Sequence, residues 1–143
     1  MARKIVYATR RERFNAAHKL WNNAWDDEKN ISTFGKCSNP NWHGHNFDLF
    51  VTIKGEPHPD TGYCMDLKAL RDIVAKFVTD KVDHRNLNLD VDFMSGIMPS
   101  CENFAIAIWE QLEGPILDSG CELHSIKLYE TENNIVEYFG PEK

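Results

Sequence analysis

The segment HGHNFDLFVTI, residues 43–53, constrains the fold more than any other part of this 143-residue chain. Its odd-numbered positions carry two histidines and then only apolar residues, whereas the even-numbered positions are mostly glycine or polar. The first set consists of His43, His45, Phe47, Leu49, Val51 and Ile53. Because successive side chains of a strand point to opposite faces, this alternation predicts a strand with one apolar face.

The remaining hydrophobic patterns predict an α+β chain in the order strand, strand, helix, helix, strand, strand. The first strand, residues 4–20, carries His18 at the carboxyl end of its apolar face. The polar residues 21–42 form a long loop, a kind of segment that is often functional in compact domains. The later predicted elements are a helix over 67–82 after Asp66, a helix that begins at Ser100 and ends at Gly114 and Pro115, and strands 122–131 and 135–139.

Composition indicates a single globular domain, residues 1–143, in the cytoplasm. The chain has 16 Lys and Arg against 22 Asp and Glu, a net charge of −6 that argues against nucleic-acid binding. No apolar run approaches the ~20 residues that a membrane span requires, and the N-terminus lacks a signal-peptide pattern. The four cysteines form no C-x-x-C pair, which favours free thiols in a reducing compartment.

Three histidines form a candidate metal site. His43 and His45 project to the same side of their strand, and pairing with the first strand would bring His18 beside them. Three imidazoles leave one tetrahedral position open, as in catalytic zinc sites, although nickel, cobalt and iron accept the same ligands. The alternative is a buried core histidine at position 18 and a simple turn at HGH.

Cys37 precedes His43 by six positions and has two interpretations. It could be a fourth metal ligand, which would make a closed structural site. It could instead be a thiolate base beside the metal, provided that neighbouring cations lower its pKa. Spacing alone leaves both interpretations open.

Six blocks of sequence, in this order, resemble the 6-pyruvoyltetrahydropterin synthase family. They are RFNAAHKL, FGKCSNPNWHGHNF, HPDTGYCMDLKAL, VDHRNLNLDV, SCENFAIAIW and YETENNIVEY, which extend over nearly the whole chain. The resemblance implies the T-fold, a four-stranded antiparallel sheet with two helices on one face in the order ββααββ. It also implies a homo-oligomer in which three subunits join their sheets into a barrel and two trimers stack into a hexamer.

The same resemblance assigns roles to particular residues. It implies zinc held by His18, His43 and His45, with Cys37 as the catalytic cysteine. The Asp-His pair that assists the cysteine across a subunit interface corresponds to Asp83 and His84.

On the substrate side, the resemblance makes Glu130 the pterin anchor and Glu102 a further substrate-binding candidate. A fixed carboxylate can accept hydrogen bonds from a ring N–H and the neighbouring amino group of a pterin at once. Two positions depart from the family pattern. Cys101 stands where threonine is usual, and Trp42 stands where a small residue usually precedes His-Gly-His.

The implied reaction converts 7,8-dihydroneopterin triphosphate to 6-pyruvoyltetrahydropterin with loss of triphosphate, and Cys37 acts as the base. A related branch makes 6-carboxytetrahydropterin for queuosine-type deazapurines, and its cysteine usually lies closer to His-Gly-His. The spacing here is typical of the pyruvoyl type. Two hypotheses of other classes remain: a metal hydrolase that uses the same histidines, and a non-catalytic pterin- or zinc-binding module.

Overall fold

The computed structural model describes residues 2–143, which form an α+β fold. The helices and strands, in chain order, are β1 (Val6–His18), α1 (Asp27–Phe34), β2 (His43–Gly55), α2 (Leu67–Val74), α3 (Asp80–Val82), β3 (Arg85–Asn86), α4 (Cys101–Asp118), β4 (Glu122–Tyr129) and β5 (Ile135–Tyr138). Among these residues, no helix is both long enough and apolar enough to cross a bilayer.

The sheet has five strands in the order β3-β1-β2-β4-β5, rather than the predicted four. The four long strands pair antiparallel, and the additional strand β3 pairs parallel to β1 at the sheet edge. Two backbone amides flank this pairing, since His84 donates to the Asn15 carbonyl at 2.7 Å and Leu87 donates to the Ala17 carbonyl at 2.8 Å. A two-residue strand has too little periodicity to be visible in sequence.

The alternation that predicted β2 is confirmed, because Phe47, Leu49, Val51 and Ile53 are all buried. Helices α2 and α4 pack on this side of the sheet and contribute to the same core cluster. Their fully buried side chains include Leu70, Val74, Phe104, Ile108, Leu112 and Ile116. This core fixes the face on which His18 and the HGH motif lie.

The segment between β1 and β2 differs from the prediction. The predicted loop 21–42 contains helix α1, which is capped by the Asp26 carboxylate accepting from the Lys29 amide at 2.8 Å. The fully buried Asn30 anchors that helix, because its side chain bonds the backbone of Asn22 and Asp26. A polar anchor leaves no apolar periodicity, which explains why the hydrophobic pattern does not predict this helix.

The predicted end of the second long helix at Gly114 and Pro115 is wrong, since α4 continues to Asp118. Leu112 and Ile116 lie one helical turn apart and are both fully buried, so the apolar face continues past the proline. The predicted helix 67–82 is helical throughout, but Ala75–Thr79 adopts a π-helical turn between α2 and α3.

Candidate active site

Pairing of β1 with β2 brings the three histidines together. His18 lies directly opposite His43 in the antiparallel register, and His45 is opposite Ala16. One potential ligand atom from each histidine lies within 4.8 Å of those of the other two. The ring centroids are 4.5 to 5.1 Å apart. The structure therefore assembles the cluster that the spacing of the sequence suggested.

A backbone carbonyl orients His18, which is 2% exposed. Its Nδ1 lies 2.7 Å from the carbonyl oxygen of Pro99, an acceptor only, so Nδ1 carries the proton and donates it. In a neutral ring this leaves Nε2 with a free lone pair. In metal-binding histidines, the ring N–H that does not face the metal commonly donates such a hydrogen bond, which fixes the tautomer.

Three ring nitrogens in the cluster are buried without a hydrogen-bond partner among residues 2–143: Nε2 of His18, Nδ1 of His43 and Nε2 of His45. Burial is the largest cause that lowers the pKa of each histidine below its ordinary value of 6.5. The imidazoles are therefore neutral at physiological pH, the form that binds metal. Buried polar atoms are rarely left unpaired, so this donor set fits a divalent metal such as zinc.

A carboxylate faces the histidine cluster from the β4–β5 hairpin. The Glu130 oxygens lie 3.9 Å from Nε2 of His18 and 3.8 Å from Nε2 of His45, too far for direct hydrogen bonds. The Glu130 amide donates to the Asn134 carbonyl at 3.0 Å, which closes the hairpin turn. The Glu130 side chain is 18% exposed. A largely buried carboxylate thus borders the histidine cluster with its oxygens available to a ligand.

Cys37 lies in a 3₁₀ turn, Gly35–Ser38, and is half-buried. Its carbonyl accepts a hydrogen bond of 2.8 Å from the Leu20 amide, two residues beyond His18. The Ser38 hydroxyl donates to the Gly35 carbonyl at 2.6 Å and tightens the same turn. The bond from Leu20 attaches the segment that carries Cys37 to the chain just after β1, which ends at His18 of the histidine cluster.

Asp83 and His84 lie just before β3, on the side of β1 that faces away from β2. One Asp83 oxygen, Oδ1, accepts from the Asn15 amide at 3.0 Å and lies 3.1 Å from Nδ1 of His84. The backbone of His84 has a φ of 61°, a conformation that is uncommon for residues other than glycine. His84 and His45 line the same shallow cleft of about 460 Å³. The pair is preformed, but its hydrogen bonds join it to β1 and not to the three histidines.

The two substrate-binding candidates both influence the pKa of one thiol, that of Cys101. Glu102 is exposed in the first turn of α4, next to the buried Cys101. Burial, followed by the charges of Glu130 and then Glu102, raises the pKa of Cys101 to about 12. The negative charges of both carboxylates therefore disfavour the thiolate of Cys101, although the two residues belong to different elements.

Sequence reasoning missed Pro99 and Asn15. Pro99 contributes only a carbonyl oxygen to His18, and Asn15 uses its backbone to hold Asp83 and His84. Every residue has a backbone carbonyl and nearly every residue has a backbone amide, so no sequence signal could have identified the two positions.

Comparisons with known proteins agree on one family. A family model described as 6-pyruvoyl tetrahydropterin synthase matches residues 7–141. A protein of Pongo abelii named 6-pyruvoyl tetrahydrobiopterin synthase is 43% identical over 132 residues, which are 92% of this chain and 90% of that protein. A Homo sapiens protein of the same name is 42% identical over 132 residues, again 92% of this chain and 90% of that protein. The solved structure of Caenorhabditis elegans 6-pyruvoyl tetrahydropterin synthase superposes with a TM-score of 0.91, covering 99% of both chains at 38% identity.

Proposed function

The chain belongs to the 6-pyruvoyl tetrahydropterin synthase family, and from that premise we propose that it converts 7,8-dihydroneopterin triphosphate to 6-pyruvoyltetrahydropterin with release of triphosphate. Membership makes the chain a lyase-type enzyme of tetrahydropterin biosynthesis. The observation that carries the proposal is the cluster of three histidines with the Glu130 carboxylate beside it.

The proposed cofactor is zinc, held by His18, His43 and His45. When bound, zinc would supply a Lewis acid for the hydroxyls of the substrate side chain and would acidify the adjacent carbon. The unpaired ring nitrogens described above support this assignment, since none of them has a competing hydrogen-bond partner among residues 2–143.

Glu130 is the proposed pterin anchor, with Glu102 as a second substrate-binding residue. A carboxylate accepts the ring N–H and the amino group of a pterin as two charge-assisted hydrogen bonds. The low exposure of Glu130 supports this role, because water competes less for a buried acceptor.

Cys37 is the proposed base, and its thiolate removes the proton from the side-chain carbon. Asp83 and His84 take up and return protons during the reaction, with the carboxylate holding the imidazole as in other proton relays. The pyrazine ring gains the two electrons and two protons that the side chain loses, so no external reductant is consumed. Loss of the triphosphate then completes the pyruvoyl group.

We infer that Asp83 and His84 serve the site of a neighbouring subunit in a homohexamer built from two trimers. The side chains of His84 and Asp83 are 76% and 42% exposed in the single chain, which supports a position at a subunit interface. We further propose that the chain acts as one domain in the cytoplasm, with no nucleic-acid or membrane partner.

The proposal is tested by mass spectrometry of the products formed from 7,8-dihydroneopterin triphosphate, with metal content measured on the same samples. We expect 6-pyruvoyltetrahydropterin and free triphosphate from the zinc-loaded protein. The variant Cys37→Ala should retain its metal and lose nearly all activity. Cys64→Ala, at another half-buried cysteine, should remain active and serves as the matched control.

Other outcomes contradict specific parts of the proposal. Formation of 6-carboxytetrahydropterin would assign the chain to the deazapurine branch. A Cys37→Ala variant with full activity would indicate a hydrolytic reaction at the metal, in which the thiol has no part. Tight metal binding and an intact substrate would indicate a non-catalytic pterin- or zinc-binding module.

A further inference from the structure

The ammonium group of Lys19 lies between two tryptophans next to the histidine cluster. Nζ of Lys19 lies 4.7 Å from the ring centroid of Trp21 and 5.5 Å from that of Trp42. Both distances are within the range of a cation–π interaction. We call Lys19, Trp21 and Trp42 the tryptophan clamp. Within residues 2–143, Lys19 takes part in no ion pair with a carboxylate, so its charge is not neutralised.

The tryptophan clamp adjoins the elements of the candidate active site. Lys19 directly follows His18, and Trp42 directly precedes His43. Leu20, between Lys19 and Trp21, donates its amide to the Cys37 carbonyl. The tryptophan clamp is therefore attached by the backbone both to the histidine cluster and to the turn that carries Cys37.

The backbone of Lys19 is also fixed. Its amide donates to Oδ1 of Asn88 at 3.0 Å, and its carbonyl accepts from Nδ2 of the same Asn88 at 3.0 Å. Two hydrogen bonds to one amide side chain hold the residue in a single orientation. Because its backbone is anchored and its ammonium lies near two indoles, Lys19 should lose less conformational freedom on binding a ligand than an unrestrained lysine would.

Trp42 adopts a backbone conformation that a bulky residue rarely occupies, with a φ of 68°. Its amide donates to the Asn39 carbonyl at 3.1 Å, which closes a tight turn before β2. Glycine would fit this position without strain. Strained backbone conformations concentrate at functional sites, where the surrounding structure compensates for the strain. In this conformation the Trp42 ring lies within cation–π distance of the Lys19 ammonium.

We propose that Trp21 and Trp42 are positioning residues that hold the Lys19 ammonium ready to bind the phosphate groups of the substrate. The identification of a phosphate-bearing ligand rests on the proposed function. An ammonium over an aromatic face keeps its N–H donors and its charge, so it can bind an anion without first breaking an ion pair.

The test measures binding of inorganic tripolyphosphate to the purified protein by titration calorimetry, with metal content checked before and after. Lys19→Gln should weaken binding about tenfold, since it removes a charged hydrogen-bond donor. Trp42→Gly should weaken binding about threefold, the expected effect of losing one cation–π contact. Trp42→Phe should restore most of this loss, because it keeps an aromatic face.

The chain provides a matched control and a check on folding. Lys29→Gln removes a similar ammonium, 4.3 Å from the ring of Trp25, and should leave tripolyphosphate binding unchanged. Trp42→Gly suits the left-handed backbone, so its melting temperature should not fall. With the natural substrate, Trp42→Gly should raise KM and change kcat little.

The result that would overturn the inference is tripolyphosphate binding that is equal in Trp42→Gly and the parent protein, or equally weakened in Lys29→Gln. This failure is distinguishable from failure of the proposed function. Normal turnover together with unchanged binding in Trp42→Gly would refute the clamp alone. An absence of turnover together with the expected series of binding constants would refute the reaction and leave the clamp supported.

Discussion

Replacement of Glu130 by glutamine separates charge from shape at the candidate pterin anchor. The amide keeps one acceptor oxygen but presents a donor NH₂ where the second carboxylate oxygen would accept a hydrogen bond. Hydrogen bonds to charged groups contribute about 1.5–3 kcal/mol. Because the Glu130 side chain is only 18% exposed, solvent should not restore much of this loss. The dissociation constant of a pterin should therefore rise roughly 10- to 150-fold.

The assay is titration calorimetry with neopterin, which lacks the triphosphate and therefore reports on the pterin alone. Glu132→Gln is the matched control, since Glu132 is an exposed carboxylate on the same hairpin turn. Metal content should be unchanged in both variants, because the Glu130 oxygens are near the histidines without bonding them. Neopterin affinity in Glu130→Gln that equals that of Glu132→Gln would refute the reasoning.

Three further predictions concern cysteine chemistry and packing. Because its pKa is raised to about 12, Cys101 should resist alkylation by iodoacetamide at pH 8, whereas the half-buried Cys64 should be alkylated. Peptide mass mapping would measure the labelling of each cysteine, and equal labelling would contradict the prediction. The raised pKa also predicts that the contribution of Cys101 to the free energy of unfolding is complete below pH 9 and is lost as the pH rises towards 12. Urea unfolding at several alkaline pH values would measure this loss. Cys101→Ala should abolish it, and a pH dependence that the substitution leaves unchanged would refute the prediction. Gly140→Ala should lower the free energy of unfolding by about 1–3 kcal/mol, because the new Cβ would lie 2.5 Å from the Trp109 ring at a φ of +85°. Gly114→Ala meets open space in a helix and should change stability in the opposite direction; effects of the same sign would contradict the argument.

The parts of the fold that repeat a period were predictable from sequence. Strand β2 shows a clean alternation from His43 to Ile53, and the buried face observed in the structure follows it. The same periodicity in β1 places His18 on the matching face, and the strand pairing sets it opposite His43. Side-chain type and spacing predicted the histidine cluster as one of two interpretations, and the strand pairing brings the three histidines together.

The parts that depend on backbone or on distant partners were not predictable. Strand β3 consists of two residues, and helix α1 is anchored by a buried polar residue, Asn30, rather than by an apolar face. A proline usually interrupts a helix, but here the buried Ile116 that follows Pro115 keeps α4 helical. The clamp around Lys19 depends on the left-handed backbone of Trp42, for which the sequence alone gives no signal.

The pairing of His18 with His43 at the ends of two strands has a consequence for loop dynamics. A metal ion bound to both would act as a cross-link that closes the chain from 19 to 42, much as a disulfide closes the loop between its cysteines. Removal of the metal would remove this cross-link between the end of β1 and the beginning of β2. Local opening should then begin in the segment that carries Cys37, so hydrogen exchange of its amides would accelerate before that of the strands.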